Sequence, residues 1–232
     1  MRTCRIRSPI VGEPDVAPEA EAEGLRAADG RVPGRRGRAT RTKLLDCLEG
    51  MLANSSFRDL KVTDVTREAG TSPATFYQYF PDIETAVLAI AEQMADEGSR
   101  LRACVTDGSW RGNDAYATAE QMVDGFLAFW EEHQSLLRVI DLAALEGDTR
   151  FRDTRVQMLN AVTSALTDVI ASVRRDEDGP DANAMSGALV AMLAHTAAHQ
   201  DGFESWDIHV RDLRRALAEL VHWGVTGRKP AH

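Results

Sequence analysis

Apolar residues recur at helical spacing along most of the chain. From Ala39 onward, leucines and a methionine stand at i, i+3, i+4 and i+7, which predicts an amphipathic helix ending near Asn54. The same period returns in every later segment, and no segment shows the strict alternation of a half-buried strand. The pattern therefore predicts an all-α fold of about nine helices.

Glycine, proline and aspartate clusters separate these helices. Helices are predicted near residues 39–54, 62–69, 73–79, 83–104, 113–132, 134–145, 149–175, 182–200 and 207–225.

A tight turn joins the second and third predicted helices. Gly70 follows the second helix where a left-handed residue lets the chain turn sharply. Ser72 is a good N-cap, and Pro73 suits the first helical position. Two short helices joined in this way indicate a helix-turn-helix, with Phe76 and Phe80 turned into a small core.

Charge is distributed unevenly along the 232 residues, whose formal net charge is -9. Residues 31 to 80 hold nine basic and five acidic side chains, so only this segment favours a polyanion. We expect three parts: a disordered, basic-ended tail (1–38), a helix-turn-helix DNA-binding domain (39–82) and a helical ligand-binding and dimerisation domain (83–228).

The stretch AGTSPATFYQYF, residues 69 to 80, resembles the recognition region of the TetR family of bacterial transcriptional regulators. The resemblance implies a dimer on a palindromic DNA operator and a small-molecule effector bound in the body. Hydroxyls and free N–H groups of the third helix suit phosphate and base contacts. The predicted DNA-binding residues are Arg38, Arg41, Lys43, Thr71, Ser72, Pro73, Thr75, Tyr77, Gln78 and Tyr79.

Three positions depart from the family's usual pattern. Ile83 stands where the family has a lysine at the start of the fourth helix, Thr66 replaces an alanine, and Ser56 replaces a glycine. An arginine-rich arm can supply the missing backbone contact. Its members are Arg35, Arg36, Arg38, Arg41 and Lys43.

Flexible and aromatic side chains in the body suit an adaptable, largely apolar pocket, although plain core packing explains them equally well. The candidate effector-binding residues are Met122, Phe126, Phe129, Trp130, Met158, Met192 and His195.

The last predicted helix carries an apolar stripe formed by Leu213, Leu217, Leu220 and Gly224. By the resemblance, this stripe forms the interface of a homodimer. Internal packing of the same helix is the alternative.

No residue pattern indicates catalysis or a cofactor. His195 and His199 could meet a metal from one helical face, but "HTAAHQ" lacks the glutamate of HExxH and a third ligand, so no metal is expected. With no signal peptide and no long apolar run, we expect a cytoplasmic protein without a membrane span. A carrier domain with a vestigial head and an enzyme using His133, His195 or His199 are the alternatives to a regulator.

Overall fold

The computed structural model describes residues 34–174 and 179–228. Within these ranges it contains eleven α-helices and no strand, which confirms the all-α prediction. The predicted tail up to residue 33 lies outside the described residues.

The N-terminal head consists of three α-helices and a short 3₁₀ turn. Helix α1 spans Arg35–Leu52, the 3₁₀ turn Phe57–Asp59, α2 Val62–Glu68 and α3 Pro73–Tyr77. Helix α1 begins four residues earlier than predicted, and in its first turn the Arg38 N–H donates to the Gly34 carbonyl. The head core consists of fully buried side chains from all three helices, among them Leu48, Val65 and Phe76.

The body contains the remaining eight helices. They are α4 Ile83–Glu97, α5 Ser99–Thr106, α6 Asp114–Glu132, α7 Gln134–Leu145, α8 Thr149–Val173, α9 Ala182–Ala198, α10 Gln200–Glu204 and α11 Val210–Thr226. Helix α8 lies at the centre, since α4, α5, α7, α9 and α11 all pack against it. By length and composition α8 could cross a membrane; 28% of its apolar stretch is buried inside the chain, where five helices pack against α8.

Two predicted helices are each divided in two. The predicted 83–104 helix breaks at Gly98, where a Cβ would stand 3.1 Å from Met158 Cγ and 3.2 Å from Met158 O. A side chain here would force its neighbours apart by a few tenths of an ångström, so the close approach of α8 favours a glycine. The predicted 182–200 helix ends at His199, which has φ -124° and ψ 25°, and the five-residue α10 follows.

Helix packing and an ion pair connect the head to the body, in addition to the continuous backbone. Helix α4 packs on α1 of the head and on α7 and α8 of the body. Arg58 of the 3₁₀ turn forms an ion pair with Glu146, which follows α7. Helix α4 and the residue that follows α7 therefore both contact the head.

Candidate nucleic-acid interface, effector site and dimer face

The helix-turn-helix is fixed by local hydrogen bonds. Gly70 has φ +61°, and the chain around it closes a Schellman motif. The Thr71 N–H donates to the Thr66 carbonyl at 2.8 Å, and the Gly70 N–H donates to the Arg67 carbonyl at 3.1 Å. The Ser72 hydroxyl then accepts from the Thr75 N–H at 3.2 Å, so Ser72 caps α3 as the sequence predicts.

Helix α3 presents most of its predicted DNA-binding side chains to solvent. Ser72, Pro73, Tyr77 and Gln78 are exposed, and Tyr77 retains about half of its surface at 51%. The inner side of the helix is closed by Phe76, which is fully buried and packs edge-on against the Tyr77 ring at 5.8 Å. The exposed Tyr77 side chain therefore packs on the buried Phe76 ring.

Three of the predicted residues of α3 and its flanks face solvent only in part. The Thr75 hydroxyl lies 3.0 Å from the Ser72 hydroxyl within the cap, and Thr75 is half-buried. Tyr79 is half-buried as well and packs on the core beside Phe80. Thr71, also half-buried, follows the turn glycine directly. These three side chains pack beneath or beside the exposed surface of α3 and add little to its exposed area.

Arg41 is not on the DNA-facing surface, and its predicted role there is wrong. It is 7% exposed, and its guanidinium lies over the Phe80 ring, 5.1 Å from the centroid. Burial lowers the pKa of Arg41, and the negative charge of Glu92 on α4 opposes that shift. The residue falls on the buried side because α1 is already helical at Arg41, so the 3.6-residue period decides its direction.

The other basic side chains of α1 remain available. Arg35, Arg36, Arg38 and Lys43 are exposed, and Lys43 Nζ lies near the turn, 3.8 Å from the position of a Cβ on Gly70. Positive charge therefore accompanies the turn that precedes α3, where a phosphate-contacting surface requires it.

The two departures at Thr66 and Ile83 are accommodated in the fold. Thr66 is buried, and its hydroxyl donates to the Thr63 carbonyl at 3.2 Å. Ile83 begins α4 and packs on the core, and the preceding Asp82 carboxylate accepts from the Thr85 N–H at 2.7 Å.

The aromatic residues of α6 form a buried cluster in the body. Phe126 and Trp130 stack with centroids 5.0 Å apart and an interplanar angle of 11°, and Phe129 meets Trp130 edge-on at 6.0 Å. Met122 and Met158 are buried as well. Within the described residues Trp130 Nε1 is buried without a hydrogen-bond partner. A buried indole N–H of this kind favours an acceptor that the chain itself does not supply.

Two of the predicted effector-binding residues are less buried than this cluster. Met192 is only half-buried, and His195 is exposed on the outer face of α9, where its ring stacks on His199. His195 is therefore not enclosed with the aromatic cluster, and its contact with an effector stays a prediction. Helix α9 is apolar on every side, so its sequence gives no period that distinguishes an inward from an outward position.

The predicted dimer stripe on α11 faces largely inward. Leu213 and Leu217 are buried within the chain, and a Cβ on Gly224 would stand 2.9 Å from Leu189 Cδ1 of α9. Leu213 and Leu217 therefore belong to the core and the half-buried Gly224 packs against α9, so these residues form no exposed stripe in the chain, and the interface at them stays a prediction. Only Leu220, which is 45% exposed, points outward.

An apolar outer face does exist on α9 and α11, which pack on each other. Trp223, 50% exposed, continues the exposed side of α11 from Leu220 and was missed, although its spacing of three from Leu220 could have indicated it. On α9, Ala184, Ala188 and Ala191 are exposed, and no residue of Ala182–Ala198 is an Asp, Glu, Lys or Arg. A helix without charge on its outer side is typical of one that is covered in the assembled protein.

Comparison with known proteins agrees with this architecture. A family model described as tetracyclin repressor-like, C-terminal domain, matches residues 101–232. An uncharacterized HTH-type transcriptional regulator of Haemophilus influenzae is 27% identical over 134 residues, which cover 57% of this chain and 63% of the relative.

Solved structures share the fold at low sequence identity. A transcriptional regulator from Rhodococcus sp. Rha1 matches with a TM-score of 0.63 and 17% identity, covering 83% of this chain and 98% of that one. A tetR-family regulator from Streptomyces coelicolor matches with a TM-score of 0.60 and 17% identity over 79% of each chain. Thermus thermophilus FadR, a TetR-family repressor solved with lauroyl-CoA, matches with a TM-score of 0.51 and 18% identity, covering 83% and 98%.

Proposed function

The chain belongs to the tetracycline repressor (TetR) family of transcriptional regulators, and we propose that it is a cytoplasmic repressor which a small effector releases from a palindromic operator. The main support for DNA binding is the helix-turn-helix, in which the capped helix α3 exposes Tyr77. Two copies related by a two-fold axis would set two α3 helices about one helical turn of DNA or more apart, which requires an inverted repeat.

In this proposal α3 enters the major groove and α1 follows the phosphate backbone. Tyr77 and Gln78 are the exposed side chains near the end of α3, and Thr71, Ser72 and Pro73 form its start. Arg38 and Lys43 add positive charge from α1. Thr75 and Tyr79, being half-buried, hold the backbone of this surface in place and add contacts at its edge.

Tyr77→Phe is expected to weaken binding to every duplex by about 1 kcal/mol, the net value of one hydrogen bond. The phenyl ring can keep the edge-on contact with Phe76, so only the hydroxyl is lost. Fluorescence anisotropy with an operator and a scrambled duplex measures the loss on both. Unchanged affinity for both duplexes would remove the hydroxyl from the interface, and a loss on the operator alone would make it a base contact.

The effector site that we propose centres on Trp130. Its buried indole N–H supports an effector with a carbonyl or carboxylate oxygen, and the stacked Phe126 and the neighbouring Met122 support a largely apolar remainder. The lauroyl-CoA bound to the Thermus thermophilus regulator combines an apolar chain with a thioester carbonyl. Long-chain acyl thioesters and apolar carboxylates are therefore the first compounds to test.

Trp130→Phe is expected to weaken effector binding about 5- to 10-fold, because the ring that stacks on Phe126 is largely retained while the donor is lost. Trp110 is the matched control, since it is equally buried but its Nε1 already donates to the Val105 carbonyl at 2.8 Å. Trp110→Phe is expected to lower thermal stability without changing effector affinity.

Calorimetric titration of both variants with the effector identified by a thermal-shift screen compares the two sites. An equal loss of affinity in the two variants would mean that core disruption, and not a lost hydrogen bond, explains the effect.

In this proposal, effector binding releases DNA because the body helices contact the head. An effector between the body helices changes the position of α4 and of the end of α7, which reach the head through α1 and through the Arg58–Glu146 ion pair. A coupling free energy of about 1–3 kcal/mol changes operator affinity roughly 5- to 150-fold. In a dimer joined through the outer faces of α9 and α11, this shift alters the separation of the two α3 helices.

A further inference from the structure

Arg41 is a buried cation at a position that the helical period of α1 gives to apolar side chains. It stands three, four and seven residues before Leu44, Leu45 and Leu48, and all three leucines are buried. Arg41 itself is 7% exposed. Withdrawing a guanidinium from water costs free energy unless neighbouring groups stabilise the charge. The groups around Arg41 therefore indicate what its charge does.

An aromatic ring and an acidic side chain stabilise this charge from two different elements. The guanidinium carbon lies 5.1 Å from the centroid of the Phe80 ring, within the range of a cation–π contact. Burial lowers the pKa of Arg41, and the negative charge of Glu92 raises it in part. Glu92 belongs to α4, which packs on α1. Arg41 of the head is therefore stabilised both by the residue that ends the recognition segment and by the first helix of the body.

A row of packed rings connects Arg41 with the exposed surface of α3. The Phe80 ring lies 5.5 Å from the Phe76 ring, and the Phe76 ring lies 5.8 Å from the Tyr77 ring. The backbone follows the same path, since the Phe80 N–H donates to the Phe76 carbonyl at 3.0 Å. Phe76 and Phe80 are buried, whereas Tyr77 is exposed. Arg41 thus stands at one end of this row, and the DNA-facing tyrosine stands at the other.

We propose that Arg41 is a positioning residue for operator binding: its guanidinium holds Phe80, and through Phe80 the helix α3, in one orientation relative to α4, with Glu92 as the partner charge. This inference rests on the proposed function, because it concerns the same DNA-facing surface. Arg41 is buried and does not contact DNA, so it acts only through Phe80. The proposal requires the positive charge of the side chain and not its bulk.

Arg41→Met tests the charge, because methionine is also unbranched and favours helices. We expect its thermal midpoint to stay close to that of the unmodified chain, since an apolar side chain often replaces a buried charged one without loss of stability. Its affinity for the operator obtained by library selection should fall about tenfold, as expected for the loss of a desolvated cation–π contact. Arg41→Lys keeps a cation and should bind the operator more tightly than Arg41→Met.

Fluorescence anisotropy over a range of salt concentrations separates positioning from a phosphate contact. In Arg41→Met the slope of log affinity against log salt should equal that of the unmodified chain. A slope reduced by about 0.9 would make Arg41 a phosphate contact and would overturn the proposal. A thermal midpoint that falls together with affinity, with no recovery in Arg41→Lys, would leave Arg41 a role in folding alone and would also overturn it.

Glu92→Gln tests the partner charge without altering the core, because Glu92 is exposed. It remains informative if Arg41→Met does not fold. We expect operator affinity to fall about threefold, in line with a partly exposed charge pair, and no further fall when the change is added to Arg41→Met. Glu132→Gln is the matched control, since it removes the same charge from an exposed glutamate at the end of α6; its affinity should be unchanged. Independent losses from Arg41→Met and Glu92→Gln would contradict the pairing.

Hydrogen exchange in the free protein tests the contact without DNA. The Phe80 amide should exchange faster in Arg41→Met and in Glu92→Gln than in the unmodified chain, because the segment that ends α3 opens more often. Unchanged exchange in both variants would overturn the positioning role even where operator binding is intact. Failure of the unmodified chain to bind any duplex would instead contradict the proposed function and leave the exchange result to decide on the contact.

Discussion

Phe76→Ala is expected to abolish operator binding while the body stays folded. Phe76 is fully buried beneath α3 and contacts the rings of both Tyr77 and Phe80. Removing a buried phenyl ring costs about 3–5 kcal/mol, which exceeds what a three-helix head with a small core can lose. The body should be largely unaffected, because its helices pack mainly around α8.

Operator binding by anisotropy and thermal unfolding by circular dichroism measure this loss, with Gln78→Ala as the comparison on the exposed side of the same segment. We expect Phe76→Ala to lose an early unfolding transition as well as DNA binding, while Gln78→Ala keeps full stability. Retained operator affinity in Phe76→Ala would contradict a head whose recognition surface depends on this core.

Leu220→Arg is expected to convert the protein into monomers. Leu220 and Trp223 are large apolar side chains on the outer face of α11, beside the uncharged outer side of α9. A charge buried without a partner at the centre of an interface costs about 2 kcal/mol or more, which weakens the dimer at least roughly 30-fold. In the proposed complex each α3 of a dimer binds one half of an inverted repeat, so operator affinity should fall with the dimer.

Leu145→Arg provides the matched control. Leu145 is 86% exposed and ends α7, outside the face formed by α9 and α11. Sedimentation velocity at micromolar concentration should show a dimer for Leu145→Arg and a monomer for Leu220→Arg. The reverse result would place the dimer interface at the end of α7 and would contradict the face proposed here.

The turn and the caps of the head were predictable because they depend on local chemistry. Gly70 adopts a positive φ, and Ser72 caps α3, as residue type and spacing indicated. Phe76 and Phe80 are buried for the same reason: the helical period fixes their direction once the helix is placed.

The sequence did not predict every buried position or every helix end correctly. Arg41 was assigned to the solvent-facing arm from its residue type, yet it stands three, four and seven residues before Leu44, Leu45 and Leu48 and is buried on Phe80. The spacing on α11 identified an apolar face, but it did not show whether that face packs inside the chain or against a second copy. In the structure Leu213 and Leu217 are buried inside the chain. The helix break at Gly98, where Met158 of the distant helix α8 lies close, was not predicted by the apolar period, which continues on both sides of it. No local pattern contains this information.

The sequence alone also did not predict how the side chains of His195 and His199 are placed. Their spacing was evident in the sequence, but the absence of a third ligand argued against a metal. The exposure of both rings and the hydrogen bond from His199 Nδ1 to the His195 carbonyl became known only with the structure. Both depend on where α9 packs and where it ends.

The most direct test of the regulator is selection of the full chain against a random duplex library at near-physiological salt, followed by sequencing of the retained DNA. The account predicts enrichment of an inverted repeat whose half-sites are spaced for two α3 helices, with affinity that falls as salt rises. Recovery of no motif, or of a single unrepeated half-site bound by a monomer, would contradict a dimeric operator-binding regulator.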